Sequence, residues 1–223
     1  MKINSAVVAV LSMLFGLLAF AFPAQAAPNN CKPNYVIVAN GVGGVGVAAA
    51  ASNQYRNRSD TEVRDMPLNL AVSDVFDVET RKGTDELKGH VNQILRDCSG
   101  SSIYLIGHSL GALEVGDALE ELAAEGKNLN RVSADLLADP RHPVTGVELQ
   151  FPNIIPGFTM QGPRASFGAA KVRQTCRVFD GVCDFDGPPW DQAQAFYGYL
   201  SGTHANYPLP TARPTSSQAI FIP

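Results

Sequence analysis

Gly107-His108-Ser109-Leu110-Gly111 sets a serine between two glycines, and the periodicity of the chain changes across it. Ile103 to Ile106 is a short apolar run of the kind a buried strand makes. Beyond the serine, Leu110, Leu113, Val115, Ala118, Leu119 and Leu122 recur near helical spacing, with Glu114, Asp117, Glu120 and Glu121 on a mainly polar face. A serine hydroxyl attacks a carbonyl when it stands exposed on a tight strand-to-helix turn, and bulky side chains at 107 and 111 would hold strand and helix apart. Ser109 is therefore the candidate nucleophile. A pentapeptide of this composition also arises by chance in a chain rich in Gly and Ser, so the strand before it and the helix after it carry the weight.

A serine nucleophile needs a base to take its proton and an acid to orient that base. Among the four histidines, His108 adjoins the serine, and its side chain would point away across the turn. His90 falls within a predicted helix. His142 follows a strand end and would need its acid from Asp117, Asp135, Asp139 or the glutamates of the elbow helix. His204 comes last and on a loop, which suits the order serine, acid, histidine of this kind of site. A lone loop histidine is ordinarily a solvated surface residue, and only the elbow upstream raises the catalytic reading. Asp180 is the favoured acid because it follows a predicted strand between Cys176 and Cys183. Asp184 and Asp186 are its competitors, since acids are common in surface turns.

The elements that must position these groups alternate along the chain. Tyr35 to Ala39 reads as a strand entering the glycine-rich Asn40 to Gly46. That loop lacks the spacing of a dinucleotide or P-loop motif. Beside an elbow it serves better as a source of backbone N–H groups for an oxyanion. A strand around Leu68 to Val72 is uncertain within an ambiguous stretch. Asp85 to Arg96 predicts a helix, Arg131 to Leu137 and Gln174 to Phe179 strands, and Trp190 to Leu200 an aromatic-rich helix. Alternating strands and helices predict an α/β fold with a parallel sheet covered on both faces, its chemistry at the carboxyl ends of the strands. The Gly- and Pro-rich stretch from Pro143 to Phe167 reads as a long loop. Its Phe151, Ile154, Ile155 and Phe158 either border an acyl-binding cleft or pack on the core. After Tyr207 a proline-rich tail, residues 208–223, is expected to wrap the surface or to be partly disordered.

Lys2, the apolar stretch Ala6 to Phe20 and Ala24-Gln25-Ala26 read together as a secretory signal peptide over residues 1–26. Its removal leaves 197 residues, with 16 basic against 21 acidic and a net charge of −5. One domain with a single core follows, with no second run long enough to span a bilayer and no basic cluster suited to nucleic acid. Cys31, Cys98, Cys176 and Cys183 all lie in the exported part, where an even count favours two disulfides in one of three pairings. Cys176 and Cys183 could bridge a short loop, which would leave Cys31 for Cys98. A metal site has little support, because no Cys-x-x-Cys occurs and no histidine stands at ligand spacing from the cysteines.

At this point the residues resemble a known family, the cutinase-type serine esterases, small secreted α/β-hydrolases. In that family a cysteine starts the first strand, another stands eleven residues before the nucleophile, and a Cys-x-x-x-Asp-x-x-Cys loop carries the catalytic acid. Here Cys31 precedes the first strand, Cys98 stands eleven residues before Ser109, and Asp180 lies four after Cys176 and three before Cys183. Gly162 to Gly168 and the pair His204 and Tyr207 also look similar, and the likeness spans residues 31 to 207. The resemblance implies a triad of Ser109, Asp180 and His204, bridges Cys31–Cys98 and Cys176–Cys183, and a three-layer sandwich over residues 27–207. It further implies a secreted, monomeric carboxylic ester hydrolase acting on lipid or polyester esters, with no cofactor and no metal. The chain departs from the family pattern at its elbow, which reads His-Ser-Leu where Tyr-Ser-Gln is frequent. It departs again at Val42, where a serine or threonine hydroxyl commonly joins the oxyanion hole, leaving the N–H groups of Val42 and Leu110. A third departure is the long segment from acid to histidine, with Trp190, Phe196, Tyr197 and Tyr199. An acyltransferase sharing the same acyl-enzyme is the alternative among enzymes. A secreted binding protein that has lost turnover is the alternative outside them.

Overall fold

The computed structural model describes residues 30–42, 47–66 and 76–223. In chain order the elements are β1 (Asn34–Ala39), α1 (Val47–Arg56), β2 (Thr61–Met66), α2 (Phe76–Asp97), β3 (Ser102–His108) and α3 (Leu110–Ala124). They continue with β4 (Val132–Leu137), the single turn α4 (Val147–Gln150), β5 (Lys171–Arg177), α5 (Pro189–Ser201), a 3₁₀ turn (Thr203–Ala205) and β6 (Gln218–Ile222). All six strands are parallel in the order β2-β1-β3-β4-β5-β6.

The two-residue period of the strands divides the core. Tyr35, Ile37, Ile103 and Leu105 turn to one face and pack with Leu87, Val91 and Ile94 of α2 and Val115, Leu119 and Leu122 of α3. Val36, Val38, Tyr104 and Ile106 turn to the other and meet Ala48, Ala51 and Tyr55 of α1. A parallel sheet covered on both sides needs such continuous apolar strands, and β4 is buried at every position. From β1 the chain steps outward to β2, then returns to place β3 on the other side of β1. Connections leaving neighbouring strands in opposite directions open a crevice at their carboxyl ends. Ala39 lies opposite Gly107 in that register, so Asn40 and Gly41 end beside His108 and Ser109.

Several stretches differ from the sequence expectation, α1 (Val47–Arg56) having no predicted counterpart and β5 starting three residues early. Helix α2 begins at Phe76 rather than Asp85; before Asp85 its inner face buries Thr80 and Thr84, so no apolar periodicity marks that part. The strand beside β1 is Thr61–Met66, while Leu68 to Val72 lies outside the described residues, as does the expected signal segment. The tail returns to the sheet as β6, paired in parallel with β5, and Val178 N–H donates to Ile222 O at 2.9 Å. Its short alternating Gln218–Ile222 run was too brief to stand out, and the open edge of β5 supplies the partner that makes it a strand. Among the described residues no helix is long and apolar enough to cross a membrane.

Candidate active site

Strand β3 delivers Ser109 at the carboxyl edge of the sheet with φ 57° and ψ −123°, a backbone conformation that a side chain rarely adopts. The two motif glycines make this turn possible. A Cβ at Gly107 would stand 2.5 Å from Gly111 O, and one at Gly111 would stand 2.1 Å from Ala39 O. Ser109 N–H is held by Leu137 O at 2.9 Å, while Ser109 O accepts from Ala112 and Leu113 N–H. Leu110 heads α3, where the N–H of the first residue has no intrahelical acceptor.

His204 Nε2 lies 2.8 Å from Ser109 Oγ, and its Nδ1 lies 2.9 and 3.0 Å from the two carboxylate oxygens of Asp180. A carboxylate only accepts, so Nδ1 carries the proton and Nε2 presents its lone pair to the serine hydroxyl. Asp180 is fully buried in a loop closed by the Cys176–Cys183 disulfide. Val182 N–H donates to its Oδ1 at 3.0 Å and Tyr207 Oη–H to its Oδ2 at 2.5 Å. Burial and the Asp180 charge raise the Tyr207 pKa, which keeps that phenol a donor. Tyr207 Oη in turn accepts Arg177 N–H at 3.0 Å, tying the loop to the end of β5.

The competing acids have other partners. Asp184 accepts Phe179 N–H at 2.7 Å and so caps the turn in which Phe179 takes φ 62°. Arg173 Nε and Tyr104 Oη both donate to Asp135 at 2.5 Å. Asp139 receives Arg164 at 2.7 and 2.8 Å, and Asp117 receives Arg141 and Arg164. His142 is buried on Thr145 and Phe221, and His90 lies on α2 beside Arg64. The second disulfide joins Cys31 to Cys98 and ties the leader of β1 to the end of α2.

Val42 is half exposed in the turn after β1, and residues 43–46 lie outside the described residues. Gly41 approaches the serine so closely that a Cβ there would stand 3.0 Å from Ser109 Cβ. The expected acyl-binding residues divide. Phe158 stacks on Phe76 with centroids 4.0 Å apart, and Phe151 leans on Phe185 at 5.2 Å, whereas Ile154 and Ile155 are 72% and 59% exposed. Asp77 at the start of α2 anchors the segment, donating its N–H to Gly157 O and accepting from Thr159.

Helix α5, between acid and histidine, buries only Ala195 and Gly198. A Cβ at Gly198 would strike Phe179 O at 2.1 Å, so this helix backbone lies directly on the acid loop. Trp190, Phe196, Tyr197 and Leu200 face solvent, and the Tyr199 ring stands 5.0 Å from that of His204. The bond from Tyr207 to Asp180 has no signature in the sequence. Nothing in local spacing pairs it with an acid 27 residues earlier.

The sequence matches the Cutinase family over residues 30–207, and no curated protein sequence matches it. Among solved structures, a cutinase-like protein from Cryptococcus sp. is 19% identical with a TM-score of 0.52, the likeness covering 81% of this chain and 98% of that one. The catalytic core domain of acetyl xylan esterase from Trichoderma reesei is 18% identical with a TM-score of 0.49, covering 78% and 96%.

Proposed function

Because the chain belongs to the cutinase family of carboxylic ester hydrolases, we propose that it cleaves esters in two steps through an acyl-enzyme on Ser109. The observation that carries this reading is the continuous hydrogen-bonded line from Ser109 Oγ through His204 to Asp180, on a strained turn at the carboxyl edge of the sheet. His204 Nε2 takes the hydroxyl proton as Ser109 attacks the ester carbonyl, then returns it to the leaving alkoxide. Asp180 holds the imidazole in the required tautomer and stabilises the imidazolium. The N–H groups of Leu110 and Val42 receive the oxyanion, helped by the positive end of α3. Water then attacks the acyl carbonyl as His204 takes its proton, and His204 returns that proton to Ser109 Oγ as the Oγ–acyl bond breaks and the acid leaves.

With Val42 in place of a hydroxyl residue, the hole relies on main-chain donors. One such donor is commonly worth about 3 kcal/mol in kcat. In this reading the exposed Ile154 and Ile155 border the acyl-binding side of the site, and the segment 1–26 directs export and is removed after Ala26.

The decisive experiment is labelling with a serine-directed organophosphonate followed by peptide mass analysis. We expect one adduct on the Ser109 peptide, with labelling and ester hydrolysis both abolished in a folded Ser109→Ala protein. Hydrolysis that survives the substitution would overturn the reading. A panel of p-nitrophenyl esters from C2 to C16, run on the native protein and on Ile154→Ser/Ile155→Ser, tests the acyl side. KM should rise for long chains and not for acetate, and a uniform rise would remove these residues from the cleft.

A further inference from the structure

His108, the residue before the nucleophile, has a role of its own. Its ring is buried at 3% exposure between the rings of His204 and Tyr207, with centroids 4.9 and 5.7 Å away. Its Nε2 lies 2.8 Å from the main-chain oxygen of His204. A carbonyl only accepts, so the His108 proton sits on Nε2. Its Nδ1 has no hydrogen-bond partner and faces Gly41, where a Cβ would come within 3.2 Å.

His204 occupies a short 3₁₀ turn that follows Gly202 at φ 94°. The other main-chain bonds of that turn are local, Ala205 N–H to Gly202 O and Asn206 N–H to Thr203 O. Among the described residues, the bond from His108 is the one that reaches the His204 backbone from the sheet.

Resting on the serine-hydrolase reading above, we propose that His108 is a positioning residue, whose Nε2–H ties the backbone of the general base to the end of β3. His204 is thereby kept between Ser109 and Asp180 through the catalytic cycle. A ring that merely filled space would be replaceable by phenylalanine, whereas a tether requires a donor at the Nε2 position. Burial, and then the neighbouring His204, pushes the His108 pKa down to about 4. His108 therefore stays neutral and places no second positive charge beside the imidazolium that His204 becomes.

Loss of alignment between groups that act together in the transition state falls on kcat rather than on KM. His108→Phe should lower kcat about tenfold, with KM within about twofold, the loss expected for one hydrogen bond. Organophosphonate labelling should slow by the same factor. His108→Gln sets an amide N–H where Nε2–H stood and should recover to within about threefold, whereas His108→Asn is too short and should not. Equal losses in the Gln and Asn proteins, or native kcat in His108→Phe, would overturn the proposal. A native protein that resists the organophosphonate would instead refute the serine-hydrolase reading itself. Should the variants fail to fold, ¹⁵N-imidazole spectra of the unmutated protein decide: the tether requires the Nε2–H tautomer for His108, and Nδ1–H refutes it.

Discussion

Glu114 lies one turn into α3, 1% exposed, and its Oε1 has no hydrogen-bond partner. Its carboxyl fills the space left by Gly83 on α2, where a Cβ would come within 2.2 Å, and the nearby buried Thr84 hydroxyl is also unpartnered. Burial, followed by the charges of Asp117, Glu86 and Glu79, raises its pKa from 4.5 to about 8. The folded protein therefore keeps a proton that the unfolded chain has released between those values, and the Glu114 contribution to stability falls as pH rises through that window. Linkage makes the loss about 3 to 4 kcal/mol from pH 5 to pH 8. Glu114→Gln is neutral throughout and should escape it. At pH 5 the two proteins should melt within about 2 °C of each other. At pH 8 the variant should melt about 10 °C higher, since a domain of this size shifts about 2 to 4 °C per kcal/mol. Glu148, raised to about 7 by burial, adds a fall of the same sign to both proteins and cancels in the difference. Thermal melts by circular dichroism at half-unit pH steps give the measurement. A gap that stays constant from pH 5 to pH 8 would refute the reasoning.

Asp180→Asn should lower kcat about 10⁴-fold, because the amide favours the wrong imidazole tautomer. Asp184→Asn, which keeps an oxygen for Phe179 N–H, should cost less than about threefold; the reverse ranking by ester hydrolysis would reassign the acid. Replacing Cys31 and Cys98 together by serine should cost about 4 kcal/mol on the chain-entropy estimate, with activity retained at low temperature. The same change at Cys176 and Cys183 should cost about 2 kcal/mol and a larger share of kcat, read by denaturant unfolding beside turnover. A larger stability loss from the short loop would contradict that division.

The sequence was most informative where one residue type serves one geometric need. Gly107 and Gly111 announce the elbow because nothing larger fits against Ala112 and Ala39. The apolar strands are legible because both faces of the sheet are buried, and the parallel α/β order follows from their alternation with helices. Reading failed where burial does not require apolar residues. The start of α2 hides behind Thr80 and Thr84. β6 is created by the open edge of β5 rather than by its own five residues. The buried network in which Arg141 and Arg164 pair with Asp117, Glu120 and Asp139 joins parts of the chain that no periodicity links. The Ser109, His204 and Asp180 pattern was legible in type and order, while the Tyr207 and His108 bonds emerge only once distant loops meet.

Helix α5 buries only Ala195 and Gly198, with Tyr199 turned toward the His204 ring. Its outward residues Trp190, Phe196, Tyr197 and Leu200 are mostly exposed, and single exchanges among them should shift stability by less than about 0.5 kcal/mol. The segment that joins the acid to the base is thus open to change at its surface while fixed at Ala195, Gly198 and Tyr199. A lineage, or a designer, could vary this outer face without disturbing the chemistry beneath it.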